Sequence, residues 1–175
     1  MDRDCKRRKH IRNFSYALAA ASLLSIADLA VKWVVITIVM NPPRRIPVLP
    51  FFDIVLVFNS GMSFGLFSDM GAWGPKILSG VAIGIIGLLI VWLWRAERMN
   101  EVIGIVLVIG GAIGNVIDRV HNEAVTDFLS LYVGQYHWPV FNSADVFITI
   151  GVICLLLPNF GSQTSVSHND KVARK

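Results

Sequence analysis

The sequence predicts a mainly α-helical membrane protein with four transmembrane helices and a small extramembrane β element. The chain is 54% hydrophobic and only 16% charged, and its mean hydropathy is +0.60, unlike the average soluble domain. Its apolar residues form four long blocks, each compatible with a spanning helix. After the first block comes a segment rich in β-branched and aromatic residues, which predicts strands.

The first apolar block, residues 14–39, is long enough for a spanning helix of about 20 residues. Its start resembles a secretory signal peptide, because a basic segment precedes an apolar core. The apolar run continues past the possible cleavage point, however, and it carries Asp28 and Lys32. These two lie four residues apart on one helical face, where they can form an ion pair. We therefore expect a retained helix, preceded by a basic cytoplasmic segment over residues 1–13.

The second segment, about residues 41–73, differs in character. Prolines break the helix at its start, and Gly61 and Gly65 interrupt an aromatic, β-branched run. Neither side of the glycines is long enough to span as a helix, so we expect a small β element at the bilayer surface. Its exposed aromatic residues favour contact with lipid or a lipidic ligand.

The remaining spans are expected at residues 74–94, 102–117 and 139–157. The four-span domain then covers residues 14–158, and residues 159–175 form a cytoplasmic tail without a recognisable motif. Six of the sixteen Lys and Arg lie in the first twelve residues, and the excess of positive charge puts both termini in the cytoplasm. The loops at about 41–73 and 119–138 then face outward.

Composition also argues against several other classes of protein. The basic start could bind nucleic acid, but beside an apolar helix it is more simply an orientation signal, so we expect no nucleic-acid partner. The two cysteines are too differently placed to form a disulfide. His121 and His137 lie near the aspartates, yet no metal-ligand spacing or HExxH motif is present. We expect no metal and no cofactor.

The costly polar side chains converge on one level of the membrane. The predicted topology places all of them near the outer ends of the spans: Asp28, Lys32, Asn115, Asp118, Arg119, Asp127, Asn142 and Asp145. Carboxylates in or beside a bilayer are expensive to maintain and mark functional sites by default. Scattered structural residues would have no reason to agree in depth, so the convergence predicts a site at the outer interface.

Two carboxylates in this group suggest aspartic-protease chemistry. Held close together, they cannot both ionise cheaply, so one keeps its proton. The ionised member then takes a proton from water while the protonated member polarises the scissile carbonyl. Asp127 and Asp145 are our candidates. Asp118 is the rival, but Arg119 follows it directly and favours a structural ion pair or a helix-end anchor.

Other interpretations remain open at this point. Asn115 and Asn142 suit hydrogen bonds to substrate or to a carboxylate, but hydrogen bonds that only join helices are equally plausible. A proton-coupled transporter would place its acids near the midplane, often in inverted repeats, and no repeat is visible here. A non-enzymatic scaffold would use the same polar residues only to join helices.

Five motifs occur in order over about residues 14–157: Asp28-Leu-Ala-Val-Lys32, Asn59-Ser-Gly61-Met-Ser-Phe64, Gly110-Gly-Ala-Ile-Gly114-Asn115-Val-Ile-Asp118-Arg119, Val125-Thr-Asp127-Phe128 and Phe141-Asn142-Ser-Ala144-Asp145. Together they resemble lipoprotein signal peptidase (signal peptidase II) of bacterial inner membranes. The chain departs from that family's usual pattern at Leu29, where Gln is usual, at Phe58, where Tyr is frequent, and at Met62-Ser63, where two alanines are common. No departure removes a carboxylate.

The resemblance implies a four-helix membrane domain with a periplasmic β-cradle and a short periplasmic helix. It implies cleavage of diacylglyceryl-modified prolipoproteins before the lipidated cysteine, and inhibition by globomycin-type cyclic peptides. Asp127 and Asp145 match the catalytic dyad. Positions tied to structure or substrate binding are matched by Asp28, Lys32, Asn59, Asn115, Asp118, Arg119, Asn142 and Ala144. We expect a monomer that contacts membrane lipids, with its active site near the periplasmic face.

Overall fold

The structure, a computed structural model, describes residues 2–61 and 73–157, with side chains from residue 10 onward. In chain order its elements are α1 (Asp2–Val34), a π-helical continuation (Val35–Val39), β1 (Ile46–Leu49), β2 (Phe52–Asn59), α2 (Trp73–Arg95), α3 (Met99–Asn122), β3 (Val125–Val133), β4 (Tyr136–His137) and α4 (Ser143–Leu156). The predicted class, a mainly helical membrane protein with a small β region, is confirmed. The basic segment that precedes the first apolar block belongs to the same helix, α1.

Three helical segments of the described chain are long and apolar enough to cross a membrane: His10–Val39, Trp73–Arg95 and Met99–Asn122. α4 is apolar but shorter, and residues after 157 lie outside the described part. The predicted start of this last helix, at residue 139, was wrong. Phe141 instead forms an isolated β-bridge with Leu129, which keeps the chain extended until Ser143.

α3 is the central helix and packs against the other three. Its close approach to α4 requires glycine, because a Cβ built on Gly111 would lie 2.5 Å from the backbone oxygen of Ala144. On the α1 side, Ser25 Oγ donates to the Gly110 oxygen over 2.7 Å. α3 is longer than the predicted 102–117. Polar partners satisfy the polar side chains of its last turns, so the helix continues beyond the end of its apolar run.

The strands form one antiparallel sheet in the order β1-β2-β3-β4. The predicted β element is confirmed by β1 and β2. The segment 119–138, predicted as a loop, in fact ends α3 and supplies β3 and β4, with Val57 opposite Asp127 and Asn59 opposite Val125. Val125–Val133 is rich in β-branched and aromatic residues, a strand signal that the loop prediction overlooked.

One residue turns the chain from the helices into the sheet. Glu123 has φ 55°, a left-handed conformation, and this αL residue ends α3 and redirects the chain into β3. Within the sheet, the buried Asp53 of β2 accepts hydrogen bonds from Arg45 Nε (2.5 Å) and Tyr132 Oη (3.3 Å). The short extra helix implied by the resemblance has no counterpart in residues 2–61 and 73–157. Residues 62–72, including the departures at Met62 and Ser63, lie outside that part.

Candidate active site

Asp127 and Asp145 come from different elements that a short β pairing holds together. Asp127 lies in β3, and Asp145 lies in the first turn of α4. The Phe141 oxygen accepts hydrogen bonds from the Phe128 and Leu129 amides over 3.0 and 2.8 Å, and the Phe141 amide donates to Leu129 over 3.0 Å. This pairing holds the start of α4 beside β3, so the two carboxylates lie together where the strand meets the helix.

Asn142 links the two carboxylates directly. Its Nδ2 donates to Asp127 Oδ1 over 2.6 Å, and its backbone N donates to Asp145 Oδ2 over 3.1 Å. In return, the Asp145 amide donates to Asn142 Oδ1 over 3.2 Å, which completes a capping box at the start of α4. Asn142 is fully buried. One asparagine therefore caps the helix and fixes the separation of the two acids.

A second asparagine orients each carboxylate from its other side. Asn59 Nδ2 donates to Asp127 Oδ2 over 2.9 Å, and Asn115 Nδ2 donates to Asp145 Oδ1 over 2.9 Å. The amide oxygens of both have donors of their own: the Gly61 backbone N for Asn59 and Lys32 Nζ for Asn115. Because each oxygen faces a donor, each amide NH₂ group must face a carboxylate.

Lys32 is the centre of a buried ion cluster behind Asp145. Its ammonium lies 2.8 Å from Asp28 Oδ2, 3.3 Å from Asp118 Oδ2 and 2.8 Å from Asn115 Oδ1. The predicted Asp28–Lys32 ion pair is thus confirmed. Ser143, at the start of α4, donates from Oγ to Asp28 Oδ1 over 2.5 Å. The cluster connects α1, α3 and α4 and ends at the Asp145 carboxylate.

Asp118 serves as an anchor between α3 and β3. Its Oδ2 accepts from the Thr126 amide over 2.7 Å, and its Oδ1 accepts from Thr126 Oγ1 and Asn122 Nδ2 over 3.2 and 2.7 Å. Its ionic partner is Lys32 rather than the adjacent Arg119. These hydrogen bonds tie the end of α3 to the start of β3, which is a structural role.

Arg119 and Ala144 have different surroundings. Arg119 Nε is buried and has no hydrogen-bond partner among the described residues, while its charge interacts with Asp127, Asp118 and Asp145. Its guanidinium therefore contributes positive charge near the candidate acids. Ala144 is fully buried and its backbone carbonyl packs against Gly111, so it lies in the contact between α3 and α4.

The two aspartates differ in their exposure to solvent. Asp127 is only 2% exposed, and this burial raises the pKa of its carboxyl above the ordinary value. The negative charge of Asp145 raises that pKa further, whereas hydrogen bonds from Asn142 and Asn59 and the charge of Lys32 oppose the shift. Burial is the largest influence. The Asp127 carboxyl therefore holds its proton more tightly than a solvent-exposed aspartic acid does.

Asp145 borders an apolar cleft of about 350 Å³ between β3 and α4. The cleft's other lining residues are Leu131, Trp138, Phe141, Val146, Thr149 and Ile150. Sequence reasoning did not single out these residues, although Trp138 beside the predicted helix start was a possible signal. Within the described ranges, no group of three or more His, Cys, Asp or Glu is arranged to hold a metal ion.

Comparisons with known proteins agree on one family. The family model described as signal peptidase (SPase) II matches residues 20–160. The lipoprotein signal peptidase of Vibrio campbellii is 41% identical over 144 residues, covering 80% of this chain and 85% of the relative. That of Vibrio cholerae is 39% identical over 149 residues, covering 83% and 86%. A solved bacterial membrane enzyme superposes with a TM-score of 0.67 at 29% identity, covering 81% of this chain and 85% of that one.

Proposed function

The chain belongs to the signal peptidase II family, and we propose that it is an intramembrane aspartic endopeptidase in which Asp127 and Asp145 are the catalytic pair. Family membership itself supports a multi-pass membrane peptidase that removes signal peptides from prolipoproteins. The aspartic mechanism rests on one observation above the others. Asn142 hydrogen-bonds to both carboxylates and so holds two acids at one junction.

In this mechanism the two acids have different roles. Asp127 is buried and has a raised pKa, so it keeps its proton and donates it to the scissile carbonyl oxygen. Asp145 lies in the first turn of α4, where the partial positive charge of a helix N-terminus favours a carboxylate. Asp145 takes a proton from the attacking water. When the tetrahedral intermediate collapses, Asp145 gives its proton to the leaving amine and Asp127 regains a proton from a hydroxyl of the gem-diol.

The supporting residues act by position and by hydrogen bonding. Asn59, Asn115 and Asn142 orient the carboxylates through their amide groups. Lys32 holds Asn115, and the free Nε of Arg119 donates to a substrate carbonyl near the pair. Preorganised donors of this kind need no rearrangement when charge develops in the transition state.

The cleft beside Asp145 suits the substrate class. Its lining is mainly apolar and it borders Asp145, as a diacylglyceryl-modified segment requires. We propose cleavage just before the lipidated cysteine, with membrane lipids around the site. Globomycin-type cyclic peptides would inhibit by occupying the same cleft. The protein would act as a monomer in the bacterial inner membrane, with both termini cytoplasmic and the acids near the periplasmic face.

The test is cleavage of a diacylglyceryl-modified prolipoprotein by the purified protein, with single Asp→Asn variants compared. Asp127→Asn and Asp145→Asn are each expected to fold but to lose turnover, because an amide cannot complete the proton transfers. Asp118→Asn is the matched control for Asp127→Asn, since the two carboxylates are buried to the same degree, and its effect should follow stability. Substantial cleavage by either dyad variant refutes the assignment. Loss of turnover in well-folded Asp118→Asn alone would identify a different catalytic acid.

A further inference from the structure

A second, larger cavity lies at the other end of the helices from the aspartates. It has a volume of about 580 Å³ and runs between the first half of α1 and the junction of α2 with α3. Ala17 and Ala20 leave room on α1, while Leu93, Val102 and Val106 form the opposing wall. Its size falls within the range of about 300–1,000 Å³ that holds small molecules. None of the proposed catalytic residues lines it.

This cavity is a groove that is apolar along most of its length and polar at one end. Its lining includes His10, Asn13 and Glu97 at the ends of the helices, and His10 packs edge-on against Trp94 with ring centroids 4.7 Å apart. Tryptophan at such a position marks the membrane–water interface. The groove therefore extends from the headgroup level into the hydrocarbon region.

Positive charge predominates around the polar end. Arg12, Arg95 and Arg98 are exposed neighbours of the lining residues. The acids beside them are Glu97 and Glu101, and Glu101 lies 3.8 Å from Arg98, a distance too long for a strong pair. The sequence before His10 adds five basic and two acidic residues. The net charge of this end is therefore positive.

This charge decides between the occupants that an apolar groove in a membrane could hold. A signal peptide has a basic start before its apolar core, and that start would meet charge of the same sign. A zwitterionic lipid would gain nothing net from the arginines. We propose that the groove binds an anionic glycerophospholipid, with an acyl chain along Ala17 and Ala20 and its phosphate beside Arg95 and Arg98.

In the topology proposed above, this end faces the cytoplasmic leaflet, whose anionic lipids attract basic segments beside the membrane. The lipid site depends neither on that orientation nor on the protease mechanism. A bound lipid would join α1 to the α2–α3 junction. Binding is therefore measured directly, without reference to cleavage.

The test uses the purified full-length protein in a neutral detergent, titrated with dioleoylphosphatidylglycerol or dioleoylphosphatidylcholine and read by native mass spectrometry. The anionic lipid is expected to bind more tightly. The double variant Arg95→Gln/Arg98→Gln should weaken that binding on the order of fivefold for each arginine removed. Arg44→Gln removes one positive charge at the other end and should have no effect, whereas either single variant, Arg95→Gln or Arg98→Gln, should weaken binding.

A second pair of variants tests the apolar part. Ala20→Trp fills the groove and should reduce binding of the anionic lipid, whereas Leu88→Trp, at an exposed position of α2 outside the groove, should not. Equal binding of the two lipids would overturn the proposal, as would equal losses in a variant and its control. Displacement of the anionic lipid by a synthetic signal-peptide segment would overturn it too, because the groove would then belong to the substrate.

Discussion

The contact between Gly114 and Asp28 offers the sharpest test of how the helices position the candidate site. A Cβ built on Gly114 would lie 2.5 Å from Asp28 Oδ2 and 3.2 Å from Asp28 Cγ. Asp28 is fully buried, and both of its oxygens are held, one by Ser143 and one by Lys32. The carboxylate therefore cannot move aside without breaking the ion cluster.

The perturbation is Gly114→Ala, and its matched control is Gly84→Ala. No atom lies within 4 Å of a Cβ built on Gly84, so the control measures the intrinsic gain of about 1 kcal/mol when alanine replaces a helical glycine. Overpacking at Gly114 should cost about 1–3 kcal/mol relative to that control. For a chain of this size the difference corresponds to roughly 2–12 °C in melting temperature.

The same substitution should reduce cleavage beyond its effect on stability. Displacing Asp28 disturbs Lys32, which holds Asn115, and Asn115 in turn orients Asp145. The assays are thermal unfolding in detergent and prolipoprotein cleavage at a temperature where both variants are folded. If Gly114→Ala melts as high as Gly84→Ala and cleaves at the same rate, the proposed coupling between the α1–α3 contact and the acids is refuted.

Three further predictions concern the acids and their supports. Burial raises the pKa of Asp127. The residue therefore stabilises the fold fully at pH values below the ordinary pKa of an aspartic acid, and this contribution is lost as the pH rises through the raised pKa. As the pH rises between these two pKa values, the melting temperature of the wild type should therefore fall relative to that of Asp127→Asn. Parallel curves of melting temperature against pH would contradict this. Lys32→Met leaves the buried Asp28 and Asp118 without their cation, which should cost about 3–5 kcal/mol; thermal unfolding measures it, and adding Asp118→Asn should restore part of the loss. Asn142→Ala removes a helix cap worth about 1 kcal/mol and the link between the acids. Its cleavage rate per folded molecule should fall at least about tenfold, and a rate equal to that of the wild type would show that the link is dispensable.

The helical part of this fold was predictable because its signals are local. A long apolar run in a bilayer satisfies its backbone groups only as a helix, so the apolar blocks identified the four helices found in residues 2–61 and 73–157. The Asp28–Lys32 pair was also predictable, since a spacing of four residues puts two side chains on one helical face. The convergence of polar groups followed from their positions near the ends of those blocks.

The tertiary structure decided how those groups are connected. β3 pairs with a strand far away in the chain, and that pairing puts Asn59 against Asp127. The partners of Asp118 and the contact of Ala144 with Gly111 likewise depend on packing between elements.

Asn142 shows the limit of sequence reasoning most clearly. Its residue type and position suggested a hydrogen bond, but its sequence context could not specify the partner. Only the bridge between Phe141 and Leu129 brings it to Asp127. Periodicity and spacing describe neighbours along one helix or strand, whereas contacts between distant segments depend on how their surfaces pack together.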